Sequence, residues 1–307
     1  PQGISVTPKV TKKLINTATG QPRNFGDDVF TFGLYKAEYL NGSLVKDETP
    51  VEKVSTSDGS KSEQELNFNS RSYMQDIAPG KTVEQYYVIK EIPGQNISIK
   101  YDTTEIIYKV VFKKDTTGNN LIAEETYTVN GVATNSPTFT NEYNAPTPAS
   151  VILEAKKYFY DGNSNEAKVF GDDAFTFELY ECNENGQNAK LIQSKTTTSR
   201  DASLETLRFN SIEYKDDVAT GKTTTKYYLI KERKGSNPSI EYSTQEIWVK
   251  VEISKEVGDG IYIPGNNKLT ASATYKLLNQ DVTFTNDVKI ISNKYNQPTA
   301  TQANIAI

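Results

Sequence analysis

Phe25-Gly26-Asp27-Asp28-Val29-Phe30-Thr31-Phe32-Gly33-Leu34-Tyr35 returns as Phe170-Gly171-Asp172-Asp173-Ala174-Phe175-Thr176-Phe177-Glu178-Leu179-Tyr180, an offset of 145 residues. Further along, Gly80-Lys81-Thr82 and Tyr86-Tyr87-Val88-Ile89-Lys90-Glu91 return as Gly221-Lys222-Thr223 and Tyr227-Tyr228-Leu229-Ile230-Lys231-Glu232, now offset by 141. Thr138-Phe139-Thr140-Asn141 then reads as Thr283-Phe284-Thr285-Asn286, again at 145. Order is kept, and the small change in offset falls between hydrophobic runs, where loops absorb insertions. The chain therefore reads as two copies of one domain.

Within each copy the hydrophobic period is two. Phe30, Phe32 and Leu34 alternate with Thr31 and Gly33, and Phe175, Phe177 and Leu179 repeat the pattern. Asn41-Gly42, Asp58-Gly59, Pro79-Gly80, Pro93-Gly94, Asn130-Gly131 and Asp161-Gly162 punctuate the runs as turns. This predicts an all-β chain of tandem Ig-like, Greek-key β-sandwich domains, with some seven to ten strands per copy. The spacer Asn144-Ala145-Pro146-Thr147-Pro148-Ala149-Ser150 is stiffened by two prolines and suits domains arranged end to end. The expected boundaries are 1–145 and 146–292. Residues 293–307 are expected to form a linker and the possible start of a third repeat, because Tyr295-Asn296-Gln297-Pro298-Thr299 echoes Tyr143-Asn144-Ala145-Pro146-Thr147, and Ala303-Asn304-Ile305-Ala306-Ile307 reads as a strand opening.

Composition narrows the function. The 307 residues include 19 Tyr and 12 Phe, but no His, one Cys and one Trp. Without histidine the commonest general base and metal ligand is gone, so no metal or cofactor is expected. A single Cys182 precludes an intrachain disulfide framework. The net charge of −5, with both signs interspersed, argues against nucleic-acid binding. No run approaches the ~20 apolar residues of a membrane helix.

Three polar positions interrupt otherwise apolar strand faces. Lys12 lies two residues from Val10 and Leu14, and Lys157 two from Ala155 and Phe159. Lys13 and Lys156 stand beside them, and a one-residue slip would exchange which lysine faces inward. Glu91 shares a face with Ile89 and Tyr87, and Glu232 with Ile230 and Tyr228. Asn141 follows Phe139 by two, and Asn286 follows Phe284; the Lys-to-Asn separation is then 129 in both copies. Burial lowers a lysine pKa and raises a glutamate pKa. A buried Lys, Glu and Asn together would present a neutral amine, a protonated carboxyl and a carboxamide. The amine can attack the Asn carbonyl while the Glu hydrogen-bonds to its oxygen and shuttles protons as ammonia leaves.

A lysine in the first strand, a Tyr-x-x-x-Glu strand in the middle and Phe-Thr-Asn in the last resemble the streptococcal-type major pilins, the shaft subunits of Gram-positive pili. Tyr101-Asp102-Thr103-Thr104 and the Phe-x-Phe-x-Leu strand add to the resemblance; Tyr242-Ser243-Thr244-Gln245 departs from it. The resemblance implies Ig-like domains with Lys–Asn isopeptide bonds: Lys12–Asn141 with Glu91 as catalyst, and Lys157–Asn286 with Glu232. It also implies an extracellular cell-wall location, neighbouring pilin subunits as head-to-tail partners and a sortase as the assembling enzyme. Host surface ligands are a further possible partner. The alternative is the stalk or ligand-binding region of a cell-wall-anchored adhesin. In both cases the only chemistry expected is autocatalytic.

Other signals carry less. Cys182 with Gln245 could suggest an internal thioester, but the repeat aligns Gln245 with Thr104 in an ordinary strand entry. Asp27-Asp28 and Asp172-Asp173 suit turns better than calcium. Gly80-Lys81-Thr82 lacks a P-loop's upstream glycine. Val6-Thr7-Pro8-Lys9 loosely resembles the motif whose lysine sortases use, which would make Lys9 the joining residue.

Overall fold

A computed structural model describes residues 3–117, 120–255 and 261–299. The suggested strand at Ala303–Ile307 lies outside the described residues. Two compact units emerge, one holding the chain to Pro146 and the other most of the chain from Thr147 onward.

The first unit contains β1 (Ile4–Val6), β2 (Lys9–Asn16), β3 (Thr31–Leu40), β4 (Ser43–Lys46), β5 (Glu52–Ser55), β6 (Glu63–Asn67), β7 (Arg71–Tyr73), β8 (Thr82–Ile92), β9 (Ile99–Lys100), β10 (Glu105–Lys114), β11 (Leu121–Val129), β12 (Val132–Thr134) and β13 (Thr138–Tyr143). The second contains β14 (Ala149–Val151), β15 (Glu154–Asp161), β16 (Thr176–Cys182), β17 (Lys190–Thr196), β18 (Leu204–Arg208), β19 (Ile212–Tyr214), β20 (Thr223–Arg233), β21 (Ile240–Glu241), β22 (Glu246–Lys255), β23 (Leu269–Leu277) and β24 (Ile290–Tyr295). The described residues form strands, turns and loops, as the period-two pattern requires.

Each unit is a two-sheet sandwich. In the first, a large sheet ordered β12-β11-β10-β8-β3-β4, with β5 also on β3, faces a small sheet ordered β6-β2-β13-β9. In the second, β17-β16-β20-β22-β23 faces β18-β15-β24-β21. Inward side chains of both sheets make one core per unit, including Phe25, Phe30, Phe32, Ile89 and Phe139 in the first and Phe170, Phe175, Phe177, Ile230 and Ile291 in the second.

The feature that positions the site is the pairing of first and last strands. β2 and β13 run parallel, with Lys12 opposite Phe139 and Leu14 opposite Asn141; β15 and β24 repeat this with Lys157 opposite Ile291 and Phe159 opposite Asn293. The chain thus enters and leaves each sandwich side by side in the small sheet.

This last strand corrects the expected end of the second domain. A boundary at 292 would cut β24, which runs to Tyr295. The tail echo Tyr295-Asn296-Gln297-Pro298 is the exit from the second sandwich, as Tyr143-Asn144-Ala145-Pro146 is from the first.

Candidate functional site

Alternation decides which lysine enters the core. Along β2 the buried residues are Val10, Lys12 and Leu14, and along β15 they are Ala155, Lys157 and Phe159. Both Lys12 and Lys157 are fully buried. Lys13, on the opposite face, instead reaches Glu63 at 3.5 Å with its side chain half-exposed.

Glutamate comes from the facing sheet. Glu91 lies opposite Phe32 in the β3–β8 ladder, and Glu232 opposite Phe177 in the β16–β20 ladder. Each therefore points across the sandwich toward the lysine. Lys12 Nζ donates to Glu91 Oε2 at 2.9 Å, and Lys157 Nζ to Glu232 Oε2 at 3.0 Å; all four side chains are sealed from solvent.

Aromatic rings complete the walls. Lys12 Nζ sits 4.6 Å from the Phe30 ring centre, and Lys157 Nζ 4.5 Å from that of Phe175. Burial dominates the electrostatics and lowers both lysines from about 10.5 to about 8, against the opposing pull of their glutamates. It also raises Glu91 and Glu232 above the usual carboxylate range, although each lysine opposes the shift. Amine and carboxyl are thereby brought toward a shared proton.

Asparagine is the third member. Asn141 Nδ2 donates to Glu91 Oε1 at 2.7 Å, so one carboxyl spans the amine and the amide nitrogen. In the second domain this partner is Asn293, whose Nδ2 donates to Glu232 Oε1 at 2.7 Å. It is not Asn286, the residue expected from sequence. Asn286 is exposed, next to Thr285, which pairs with Tyr275 at the border of the large sheet. Tyr127 pairs with Thr134 of β12 in the first domain, so Thr283–Asn286 occupies the place of β12 and only copies the letters of β13. The second Lys-to-Asn span is accordingly 136 residues (293 − 157), against 129 in the first. The offset of 152 that relates Tyr143-Asn144 to Tyr295-Asn296 also relates Asn141 to Asn293, and was the signal that could have found it.

The amide oxygen also has a fixed partner. The backbone N–H of Asp102 donates to Asn141 Oδ1 at 2.8 Å, and that of Ser243 to Asn293 Oδ1 at 2.9 Å. An N–H can face only the oxygen, which sets the orientation of each amide. The expected hydrogen bond from glutamate to this oxygen is thus replaced: backbone holds the oxygen, and glutamate holds the nitrogen. Such main-chain donors leave no pattern in side-chain types.

The other candidates fall elsewhere. Asp28 and Asp173 accept from the side-chain nitrogens of Asn96 and Asn237, both at 2.9 Å, and so pin loops. Lys9 reaches Glu65 at 3.4 Å on the surface. Cys182 ends β16, and Gln245 precedes β22.

Comparison with known proteins gives two matches to one family, FctA, described as the Spy0128-like isopeptide containing domain, over residues 8–144 and 153–289. The second match stops one residue short of β24. Among solved structures, the major pilin from Streptococcus pyogenes is 15% identical with a TM-score of 0.38, covering 95% of this chain and 99% of that one. The T-13 major pilin of the same species is 16% identical with a TM-score of 0.35, covering 96% and 99%. A C-terminal fragment of pilus adhesin SpaC from Lactobacillus rhamnosus GG is 12% identical with a TM-score of 0.27, covering 96% and 99%. A search among curated proteins found no match.

Proposed function

Because the chain belongs to the Spy0128-like isopeptide containing domain family, with one copy in each half, we propose that it is the shaft subunit of a covalently assembled surface fibre of a Gram-positive bacterium, stapled internally by Lys12–Asn141 and Lys157–Asn293 isopeptide bonds. The observation that carries this reading is the pair of buried Lys–Glu–Asn sets, each with carboxylate contacts to both the amine and the amide nitrogen.

The geometry supports a balanced reaction. A proton passes from Lys Nζ to Glu Oε2, which frees the amine lone pair. Nζ attacks Cγ of the asparagine, and the charge gathered on Oδ1 meets the N–H of residue 102 or 243. The protonated carboxyl then turns its O–H to Nδ2 and gives up that proton, and the carboxylate so formed accepts one from Nζ. The Cγ–Nδ2 bond breaks, ammonia leaves, and an Nζ–Cγ amide remains. Folding supplies the rate by holding the groups together in a dry core. No external substrate is needed.

The placement of the bonds suits a load-bearing role. Parallel first and last strands are sheared when the ends of a domain are pulled apart, and the crosslink ties them side chain to side chain. Assembly by a sortase onto neighbouring subunits, and host ligands on the exposed surface, belong to the same proposal. They rest on family membership rather than on a residue of the site.

Peptide mapping tests it. Protease digests of the folded chain should contain one branched peptide joining Lys12 to Asn141 and another joining Lys157 to Asn293, each lighter than its parts by one ammonia. Asn286→Ala should leave both peptides intact, whereas Asn293→Ala should remove the second. Recovery of a Lys157–Asn286 peptide, or of linear peptides only, would overturn the assignment.

A further inference from the structure

The two sites differ at the residue whose N–H holds the reacting amide: Asp102 in the first, Ser243 in the second. Asp102 does more than lend its backbone. Its Oδ2 accepts the N–H of Thr140 at 2.9 Å and its Oδ1 the N–H of Thr104, also at 2.9 Å. Thr140 immediately precedes Asn141 on β13. Asp102 therefore grips both the backbone and the side chain of the segment bearing the amide, and brings a carboxylate to the edge of the buried set. Ser243 Oγ accepts the N–H of Gln245 at 3.1 Å, a neutral bond within its own loop.

We propose that Asp102 is a positioning residue of the first crosslink, and that its carboxylate places the pH window of that reaction above the window of the second. This rests on the crosslinking reading given above. The groups facing the first site are Lys12 from β2, Glu91 from β8, and Tyr101 with Asp102 from the segment before β10; Asp28 stands behind Tyr101. Those facing the second are Lys157, Glu232 and Tyr242, with Asp173 behind the tyrosine. The extra carboxylate is thus the principal difference in charge. It raises both Lys12 and Glu91, opposing burial in the first and adding to it in the second, whereas Lys157 and Glu232 have each other as charge partners.

The sign follows from the proton count. Lysine and glutamate react while sharing one titratable proton. A second proton fixes the amine as ammonium, and loss of the shared proton leaves glutamate unable to act as the acid that protonates Nδ2 ahead of the transfer from Nζ. A neighbouring negative charge retains both protons to higher pH, so both edges of the window move up.

The test uses the full chain, collected unfolded from inclusion bodies and refolded across a pH series, with each crosslink quantified by its branched peptide. The first window should centre above the second. Asp102→Ser should bring it down to the second, and Ser243→Asp should raise the second. Should Asp102→Ser fail to fold, Ser243→Asp carries the test alone. Coincident windows in the unaltered chain, a Ser243→Asp window that does not move, or an Asp102→Ser loss of yield equal at every pH would overturn the inference. Absence of both branched peptides at every pH would instead defeat the crosslinking reading itself.

Discussion

A lysine and a glutamate, both without solvent contact, are expensive to bury as charges. The fold meets that cost by pairing them with each other and with an asparagine, and in the proposed reaction by removing the lysine's charge altogether. Before reaction, the linkage has a definite sign. Lys12 and Lys157 fall to about 8 from about 10.5, so in that range the unfolded chain binds more protons and stability rises with pH. Raised glutamates act oppositely: stability falls as pH climbs from the ordinary carboxylate range through the raised values. A chain carrying Asn141→Ala and Asn293→Ala, which cannot crosslink, should therefore be least stable between the raised glutamate values and about 8. Urea midpoints across pH, compared with the same chain further altered by Lys12→Met, Glu91→Gln, Lys157→Met and Glu232→Gln, isolate this contribution. A difference that stays flat with pH would show that the buried pair is not the source.

At the scale of the element, alternation made the inward lysines and glutamates legible. β2 and β15 have one apolar face each, and only Lys12 and Lys157 lie on it. The first asparagine was legible for the same reason. The second was not, because Thr283-Phe284-Thr285-Asn286 and Ile290-Ile291-Ser292-Asn293 both alternate acceptably, and the former has the better letters. Ladder partners decide between them, and these are non-local. Thr285 exchanges backbone hydrogen bonds with Tyr275 at 2.7 and 2.9 Å, which commits its segment to the large sheet. Phe284 then rests on Trp248, with ring centres 5.4 Å apart, and Lys276 lies 4.9 Å above the indole. Trp248 is the only tryptophan in the chain, so its fluorescence reports this contact. Phe284→Ala should red-shift the emission and cost on the order of 1 kcal/mol, leaving the branched peptide of Lys157 unchanged. An unshifted spectrum would place Phe284 elsewhere.

For the whole molecule, repetition gave the architecture and composition gave its problem. Two all-β sandwiches without a disulfide framework need another source of durability. Crosslinks closing spans of 129 and 136 residues would each stabilise by about 5 kcal/mol if disulfide loop arithmetic transfers. A chain with Glu91→Ala and Glu232→Ala should unfold at much lower denaturant than the unaltered one. The intact mass of the folded, unaltered chain tests the central claim most directly. Two crosslinks predict the sequence mass less two molecules of ammonia, with the full sequence mass restored in the double glutamate variant. An unaltered chain at its full sequence mass would contradict the account.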